Sequence, residues 1–258
     1  MADVKKAMRI ASIINLKGGV GKTITTINLA HCLATQHNKK VLIIDNDKQG
    51  NTSKFFGVHD YERKSLSDIM MCEAGIKDVV RSTEFENIDI IPANMTLLEA
   101  NKKVLLDSTR PQQSRIKDAL AAVQNDYDFC LIDNAPDINM SVINALVASH
   151  DVMVPVKVDN FTFDGIEIML DQIEQVKKYY NKDLEFKGCF ITSYRNNDVN
   201  SQGKDILDAK YKMFKTRIRW TDKVDESTFA AVPIVDYSRR CGAAKDYIEF
   251  TNEYLKGI

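Results

Sequence analysis

The chain is poor in the residues that build stapled, disordered or membrane-spanning proteins. Its five cysteines (Cys32, Cys72, Cys130, Cys189 and Cys241) include no C-x-x-C pair, so the sequence predicts reduced thiols rather than a disulfide framework or a metal site. Glycine and proline supply only 11 and 5 of 258 residues, which excludes a fibrous or largely disordered chain. No apolar run approaches the roughly 18 residues of a spanning helix. We therefore expect a compact cytoplasmic protein.

An excess of charge of one sign is also lacking. The 35 Lys and Arg residues stand against 36 Asp and Glu, a net charge of −1, which argues against constitutive, tight coating of DNA. The charge is unevenly spread, because residues 204–245 hold ten basic and six acidic side chains, a net of +4 that leaves −5 for the rest. This segment is either an ordinary solvated face or a local basic surface.

Short apolar runs alternate with helical patterns along the chain. The runs are continuous rather than alternating, which predicts parallel strands covered on both faces. They span Ile10–Ile14, Val41–Ile44, Ile88–Ile91, Phe129–Ile132, Val152–Val158 and Phe186–Ile191. Between them, Thr23–Gln36 and Gly165–Tyr180 repeat apolar residues at helical spacing. The sequence predicts one α/β domain over residues 1–258, with a single doubly wound, mostly parallel sheet flanked by helices. Ligands of such sheets bind at the carboxyl ends of the strands.

A glycine-rich segment follows the first strand and runs directly into a helix. It reads Asn15-Leu-Lys-Gly-Gly-Val-Gly-Lys-Thr23, and its backbone N–H groups with the helix N-terminus form a cradle for nucleotide phosphates. In such a P-loop, Lys22 reaches the β- and γ-phosphates and the Thr23 hydroxyl ligates Mg²⁺. The guanine-reading pattern Asn-Lys-x-Asp is absent, so we expect ATP. The expected nucleotide-binding residues are Lys17, Gly18, Gly19, Val20, Gly21, Lys22, Thr23 and Ile24.

Carboxylates follow two further strands. Asp45-Asn-Asp-Lys-Gln-Gly-Asn51 comes after the second strand and Asp133-Asn-Ala-Pro-Asp137 after the fourth. A carboxylate at this strand end lies beside the phosphates, where it can orient water or hold the Mg²⁺ shell, and an apolar strand followed by Asp133 is the Walker B arrangement. The alternative for Asp45 and Asp47 is that they only cap the next helix.

Together these segments resemble the ParA/MinD family of partition and positioning ATPases. Its deviant Walker A motif, Lys-Gly-Gly-x-Gly-Lys-Thr, has an early lysine, here Lys17, and Leu16 stands where an ordinary P-loop has glycine. Residues 45–51 are similar to the family's Asp-x-Asp-Pro-Gln-Gly-Asn, with Lys48 in place of proline. Residues 225–243 resemble its Ser-Glu-Ala-Pro…Pro-Ile…Tyr-Asp…Gly-Ala run. The resemblance covers essentially the whole chain.

The resemblance implies a slow ATPase that works as a dimer. Asp47 is then the residue that positions water, with Lys22 on the transferred phosphate and Mg²⁺ at Thr23, Asp133 and Asp47. Lys17 is the third catalytic residue, since in this family it reaches across an ATP-dependent sandwich homodimer to the partner's nucleotide. ATP would make the dimer and hydrolysis would break it.

The resemblance also implies a partner for the switch. A plasmid or chromosome partition ATPase binds double-stranded DNA non-specifically as the ATP dimer, is associated with the nucleoid, and is discharged by a ParB-like centromere-binding protein. For such DNA binding we expect phosphate contacts from Lys210, Lys212, Lys215 and Arg217. Because Lys17 lies so near the start, we expect no N-terminal helix-turn-helix domain.

The alternative outputs of this family are less consistent with the sequence. A MinD-like ATPase that positions an assembly binds membrane through a basic amphipathic C-terminal helix, but residues 245–256 hold two lysines against three acids, so we do not expect membrane binding. A nitrogenase-reductase-like protein needs a cysteine soon after Asp133, and residues 133–149 contain none. The cargo stays open.

Overall fold

The computed structural model describes residues 7–159 and 162–257, which fold into a sheet with helices between and after its strands. The strands are β1 (Arg9–Ile13), β2 (Val41–Asn46), β3 (Arg81–Ser82), β4 (Ile88–Ile91), β5 (Phe129–Asn134), β6 (Asp151–Lys157) and β7 (Glu185–Thr192). The helices are α1 (Lys22–His37), α2 (Asn51–Phe55), α3 (Leu66–Met70), α4 (Ile76–Val79), α5 (Thr96–Leu106), α6 (Arg115–Leu120), α7 (Met140–Ala148), α8 (Thr162–Tyr179), α9 (Asp198–Lys210), α10 (Asp222–Phe229), α11 (Ile234–Tyr237) and α12 (Gly242–Lys256), with a 3₁₀ turn at Ala121–Val123.

The described strands form one seven-stranded sheet in the order β3-β4-β2-β5-β1-β6-β7. All neighbouring strands are parallel except β3, which pairs antiparallel with β4. From β1 the chain crosses to β2 on one side, and from β5 it crosses over β1 to β6 on the other side. This reversal at β1 is the switch point where open α/β sheets bind ligands, and it confirms the predicted doubly wound α/β fold.

Both faces of the sheet are covered by helices. Along β2, the side chains of Val41 and Ile43 are buried in a core that includes α1 and α12, whereas Leu42 and Ile44 are buried in a core built by α3 to α7. Such alternate burial in two cores explains why the strands read as continuous apolar runs. A third cluster packs β6 and β7 against α7 and α8.

Two features of the sheet edges escaped the sequence analysis. Strand β3 is only two residues long and lies outside any apolar run, so no pattern predicted it. Residues 211–220 run beside β7, where Cys189 N–H donates to the Lys212 carbonyl and Ile218 N–H donates to the Ile191 carbonyl, both at 2.8 Å. This basic segment therefore covers the β7 edge of the sheet.

Cys32, Cys130 and Cys189 are buried free thiols, Cys241 is partly buried and Cys72 is exposed. Among the helices that the structure describes, none combines the length and apolarity needed to cross a membrane.

Candidate functional site

The glycine-rich loop follows β1 and leads into the N-terminus of α1. Gly19 and Gly21 have φ angles of 72° and 86°, the left-handed region that glycine adopts without a Cβ penalty. Gly21 is the residue before α1, which begins at Lys22 without a side-chain cap. The uncapped N–H groups of this helix start lie at the carboxyl edge of the sheet, as an anion cradle requires.

Two polar side chains outside the motif hold this loop in place. The Asn15 amide donates to the Pro155 carbonyl at 2.8 Å and accepts from Lys17 N–H at 2.9 Å, which ties the loop to β6. The Thr192 hydroxyl at the end of β7 donates to the Val20 carbonyl at 2.8 Å. The sequence analysis missed both anchors, although a polar residue at the end of an apolar strand was a usable signal.

The two lysines of the loop have different environments. Lys22 is buried, and its ammonium donates to the Lys17 carbonyl at 2.9 Å. Burial lowers the pKa of Lys22, while the carboxylates of Asp133, Asp47 and Asp137 oppose that shift. The Lys17 ammonium instead pairs with the carboxylate of Asp159, and the two side chains are 30% and 37% exposed.

The strand-end carboxylates of Asp45 and Asp133 lie side by side in the sheet register. Burial raises the pKa of Asp45 to about 8, the charge of Asp133 adds to the shift, and hydrogen bonds from Ser53 oppose it. Those bonds come from the Ser53 hydroxyl at 2.6 Å and its N–H at 2.8 Å, both to Oδ2. Asp45 thus caps the first turn of α2, which is the alternative considered above for this residue.

One oxygen of the Asp133 carboxylate accepts hydrogen bonds from two hydroxyl groups. Its Oδ2 accepts from Thr23 and from Thr52, each at 2.7 Å. Burial raises the pKa of Asp133 to about 6, and the hydrogen bonds from Thr52 and Thr23 and the charge of Lys22 oppose the shift. The sequence analysis predicted Asp133 and Thr23 but missed Thr52 and Ser53.

The donor set around Asp133 fits a magnesium ion. Its Oδ1 is buried and accepts no hydrogen bond from any described residue, while the Thr23 hydroxyl lies against the other oxygen. No group of three or more His, Cys, Asp or Glu side chains in the described ranges could hold a metal alone. Magnesium in nucleotide sites takes one or two protein oxygens and completes its shell with water and phosphate oxygens, so such a cage is not required.

Asp47 lies on the turn between β2 and α2. It is partly exposed, its N–H donates to Asp45 Oδ1 at 3.2 Å, and its Oδ1 accepts from Gln49 N–H at 2.9 Å. Gly50 closes the turn, with φ of 64° and its N–H donating to the Asp47 carbonyl at 2.8 Å. The carboxylate is close enough to Lys22 to influence its pKa, so the structure brings the predicted Asp47, Lys22 and Asp133 to one site.

The four cations predicted to contact DNA lie along the β7 edge in two kinds of environment. Lys210 pairs with Glu167, and Lys212 lies 3.9 Å from Glu185 Oε1. Lys215 and Arg217 line a cavity of about 380 Å³ together with Lys204, and the Arg217 guanidinium lies 4.7 Å from the centre of the Tyr194 ring. The structure therefore places Lys215 and Arg217 in one cavity, whose lining also includes Asp208, and places Lys210 and Lys212 beside Glu167 and Glu185.

Comparison with known proteins matches almost the whole chain. A family model described as an AAA domain matches residues 8–186. The sporulation initiation inhibitor protein Soj of Bacillus subtilis is 34% identical over 252 residues, covering 95% of this chain and 97% of that protein. The chromosome partitioning protein ParA of Caulobacter vibrioides is 33% identical over 254 residues, covering 96% and 94%.

A similar solved structure contains nucleotide and metal. The crystal structure of cobyrinic acid a,c-diamide synthase from Mycobacterium smegmatis, with bound ATP analog and magnesium, has a TM-score of 0.85 and 26% identity, covering 96% of this chain and 94% of that one. Its sequence identity is lower than that of the two partition-type relatives, and it shares their architecture with this chain over nearly the full length.

Proposed function

Because the chain belongs to the ParA/Soj family of partition ATPases, we propose that its ATP-bound dimer binds DNA non-specifically and leaves it on hydrolysis. The observation that carries the proposal is the pair of lysines on one loop. Lys22 is buried and donates to the loop backbone, whereas Lys17 forms a partly exposed ion pair with Asp159. An ordinary P-loop needs only the first of them. The second is available for another nucleotide.

The described side chains support hydrolysis of ATP to ADP and phosphate. Lys22 would bind the β- and γ-phosphates, and Asp47 would orient the attacking water. The water oxygen bonds to the γ-phosphorus while the bond between the γ-phosphorus and the β–γ bridging oxygen breaks, which leaves ADP and phosphate. Thr23 and Asp133, with Asp47, would hold Mg²⁺. When bound, that ion supplies positive charge to the phosphate oxygens. We expect slow turnover, because Asp47 is partly exposed and its carboxylate accepts a hydrogen bond from Gln49 in its own turn.

Lys17 would join the two chains of the dimer. Its ion pair with Asp159 is partly exposed on both sides, and exposed pairs contribute at most about 1 kcal/mol, so exchanging the carboxylate for a phosphate of the partner's nucleotide costs little. A nucleotide that contacts both chains stabilises the dimer through linkage, and its cleavage removes that stabilisation. This gives a switch set by ATP.

DNA is a better partner for this switch than a membrane. The apolar face of α12 is used inside the protein, since Tyr247, Phe250 and Tyr254 are buried against α1 and the sheet. The cations along the β7 edge, Lys210, Lys212, Lys215 and Arg217, remain at the surface for backbone phosphates. We propose that the dimer thereby associates with the nucleoid in the cytoplasm, and that a ParB-like centromere-binding protein stimulates its hydrolysis.

The dimer switch is tested by sedimentation velocity of the wild type and Lys17→Gln with a non-hydrolysable ATP analogue and with ADP. We expect the wild type to dimerise only with the analogue and Lys17→Gln to bind the analogue as a monomer. Lys182→Gln is the matched control, because Lys182 is exposed and precedes β7, at the amino ends of the strands and away from the glycine-rich loop at their carboxyl ends. A Lys17→Gln chain that dimerises like the control would contradict the role across the dimer.

A further inference from the structure

The first turn of α2 holds both carboxylates that end the central strands. Its successive residues Thr52 and Ser53 donate to Asp133 and Asp45 respectively. Ser53 also accepts from Ala93 N–H at 2.9 Å, so it has a structural partner beyond the site. Thr52 is fully buried, and the hydrogen bond of its hydroxyl goes to Asp133.

The Thr52 hydroxyl constrains how Asp133 can turn. A hydroxyl has a single proton, and here it points at Oδ2 of Asp133 from a side chain with no exposed surface. With Thr23 donating to the same oxygen, Oδ2 is occupied from two elements and Oδ1 is left without a hydrogen-bond donor among the described residues. Rotation of the carboxylate would break two charge-assisted bonds in a buried place.

The contact also joins two parts of the site. Thr52 lies in α2, five positions after Asp47 in the turn that precedes this helix, whereas Asp133 lies on β5. Thr52 thus connects the residue that positions water with the residue on the magnesium side. A capping role does not explain the Thr52 hydroxyl, because the N-cap residue of α2 is Gly50 and Thr52 lies inside the helix.

From this geometry we infer that Thr52 is a positioning residue of the ATPase site, which fixes the Asp133 carboxylate for Mg²⁺. The inference rests on the proposed function, since it assumes that Asp133 serves a bound Mg²⁺ nucleotide. Outer partners of metal ligands typically contribute 10-fold to 100-fold to metal affinity, which sets the size of the effect to expect.

The test is a Mg²⁺ titration of the binding of a fluorescent ATP analogue, with single-turnover hydrolysis measured alongside. Thr52→Val removes the hydroxyl and keeps the shape, and we expect it to weaken Mg²⁺ about 10-fold while nucleotide binding without Mg²⁺ stays unchanged. Thr52→Ser restores the donor and should stay within about 2-fold of wild type. Thr251→Val is the control, because Thr251 is equally buried but bonds the Tyr247 carbonyl within α12.

The outcomes separate this inference from the proposed function. A Thr52→Val chain with wild-type Mg²⁺ dependence, or a Thr52→Ser chain as impaired as Thr52→Val, would overturn the positioning role and leave the ATPase intact. A wild type that binds the nucleotide with no Mg²⁺ dependence would overturn both. If Thr52→Val does not fold, Thr52→Ala removes the same hydroxyl and is judged by the same titration.

Discussion

Single residues of the site show how burial and hydrogen bonding oppose each other. Asp45 and Asp133 are buried side by side, and burial raises the pKa of both. Hydroxyl donors from Ser53 and Thr52 oppose those shifts and fix the orientation of each carboxylate. Asp47 differs from both in its surroundings, because it lies partly exposed on the turn between β2 and α2.

The role of Asp47 can be separated from nucleotide binding by Asp47→Asn. The substitution keeps the size of the side chain but removes the charge that we propose orients water, so we expect hydrolysis to fall about 100-fold while the proposed ATP-bound dimer persists. Single-turnover phosphate release measures the first effect and sedimentation the second. Asp126→Asn, at an exposed position before β5, should match wild type. Unchanged hydrolysis in Asp47→Asn would show that another group positions the water.

The sequence identified the residues that belong to compact motifs and missed those that act between segments. Lys22, Thr23 and Asp133 follow directly from their positions after strands. Thr52 and Thr192 do not, since each contributes one hydroxyl to a partner far away in the chain, at Asp133 and Val20. A local pattern can mark such a residue, for example as a polar strand end, but its partner depends on how the elements pack.

At the scale of elements, short turns at the carboxyl edge carry the site. The turn from β2 to α2 depends on Gly50, whose φ is 64°, and a Cβ there would lie 2.6 Å from the Ala93 carbonyl oxygen and 2.5 Å from the His59 ring. The turn is therefore packed against the end of β4 as well as against the site. The backbone of this turn therefore sets the positions of Asp47 and Thr52.

Gly50→Ala should disrupt this turn more than a glycine substitution elsewhere. Left-handed strain and the clash with backbone together should lower the free energy of unfolding by about 3 kcal/mol. Gly57→Ala is the matched control, because Gly57 has φ of 66° but nothing lies within 4 Å of its Cβ position, so only about 1 kcal/mol of strain is expected. Urea denaturation measures both. Equal losses would mean that packing at the turn contributes nothing.

The elements themselves were largely predictable because their apolar runs are long and regular. The six predicted strands correspond to β1, β2, β4, β5, β6 and β7, and no predicted end is more than two residues from the observed one. Polar ends such as Asp45-Asn46 and Asp133-Asn134 were left out of the predicted runs, since their burial depends on neighbouring loops. Residues 211–220 were recognised only as part of a basic segment, and their pairing beside β7, which is limited to isolated bridges, was not predicted.

At the scale of the whole molecule, a net charge of −1 conceals a basic edge. The cations of that edge belong to residues 204–217, and two of them, Lys210 and Lys212, form ion pairs with Glu167 and Glu185. Surface pairs of this kind exchange readily for phosphate, so the affinity for DNA should be weak for one chain and useful only when a dimer presents two edges. Near-neutrality is therefore compatible with conditional DNA binding.

Removing Lys215 and Arg217 together should weaken DNA binding without affecting the nucleotide switch. We expect Lys215→Ala with Arg217→Ala to lower the slope of log affinity against log salt by about 1 per lost phosphate contact. Fluorescence anisotropy with a random duplex and an ATP analogue measures it. The control removes the same charge elsewhere, with Lys77→Ala and Lys103→Ala on α4 and α5, where both lysines are exposed. An equal loss in the control would reduce the effect to net charge.

The most direct measurement compares binding of the wild type to random-sequence duplex DNA with ATP, with ADP and without nucleotide, in parallel with vesicles of acidic phospholipid. We expect salt-sensitive DNA binding only with ATP and no binding to the vesicles under any condition. DNA binding that ignores the nucleotide, or vesicle binding that appears only with ATP, would contradict a partition ATPase switched by its nucleotide.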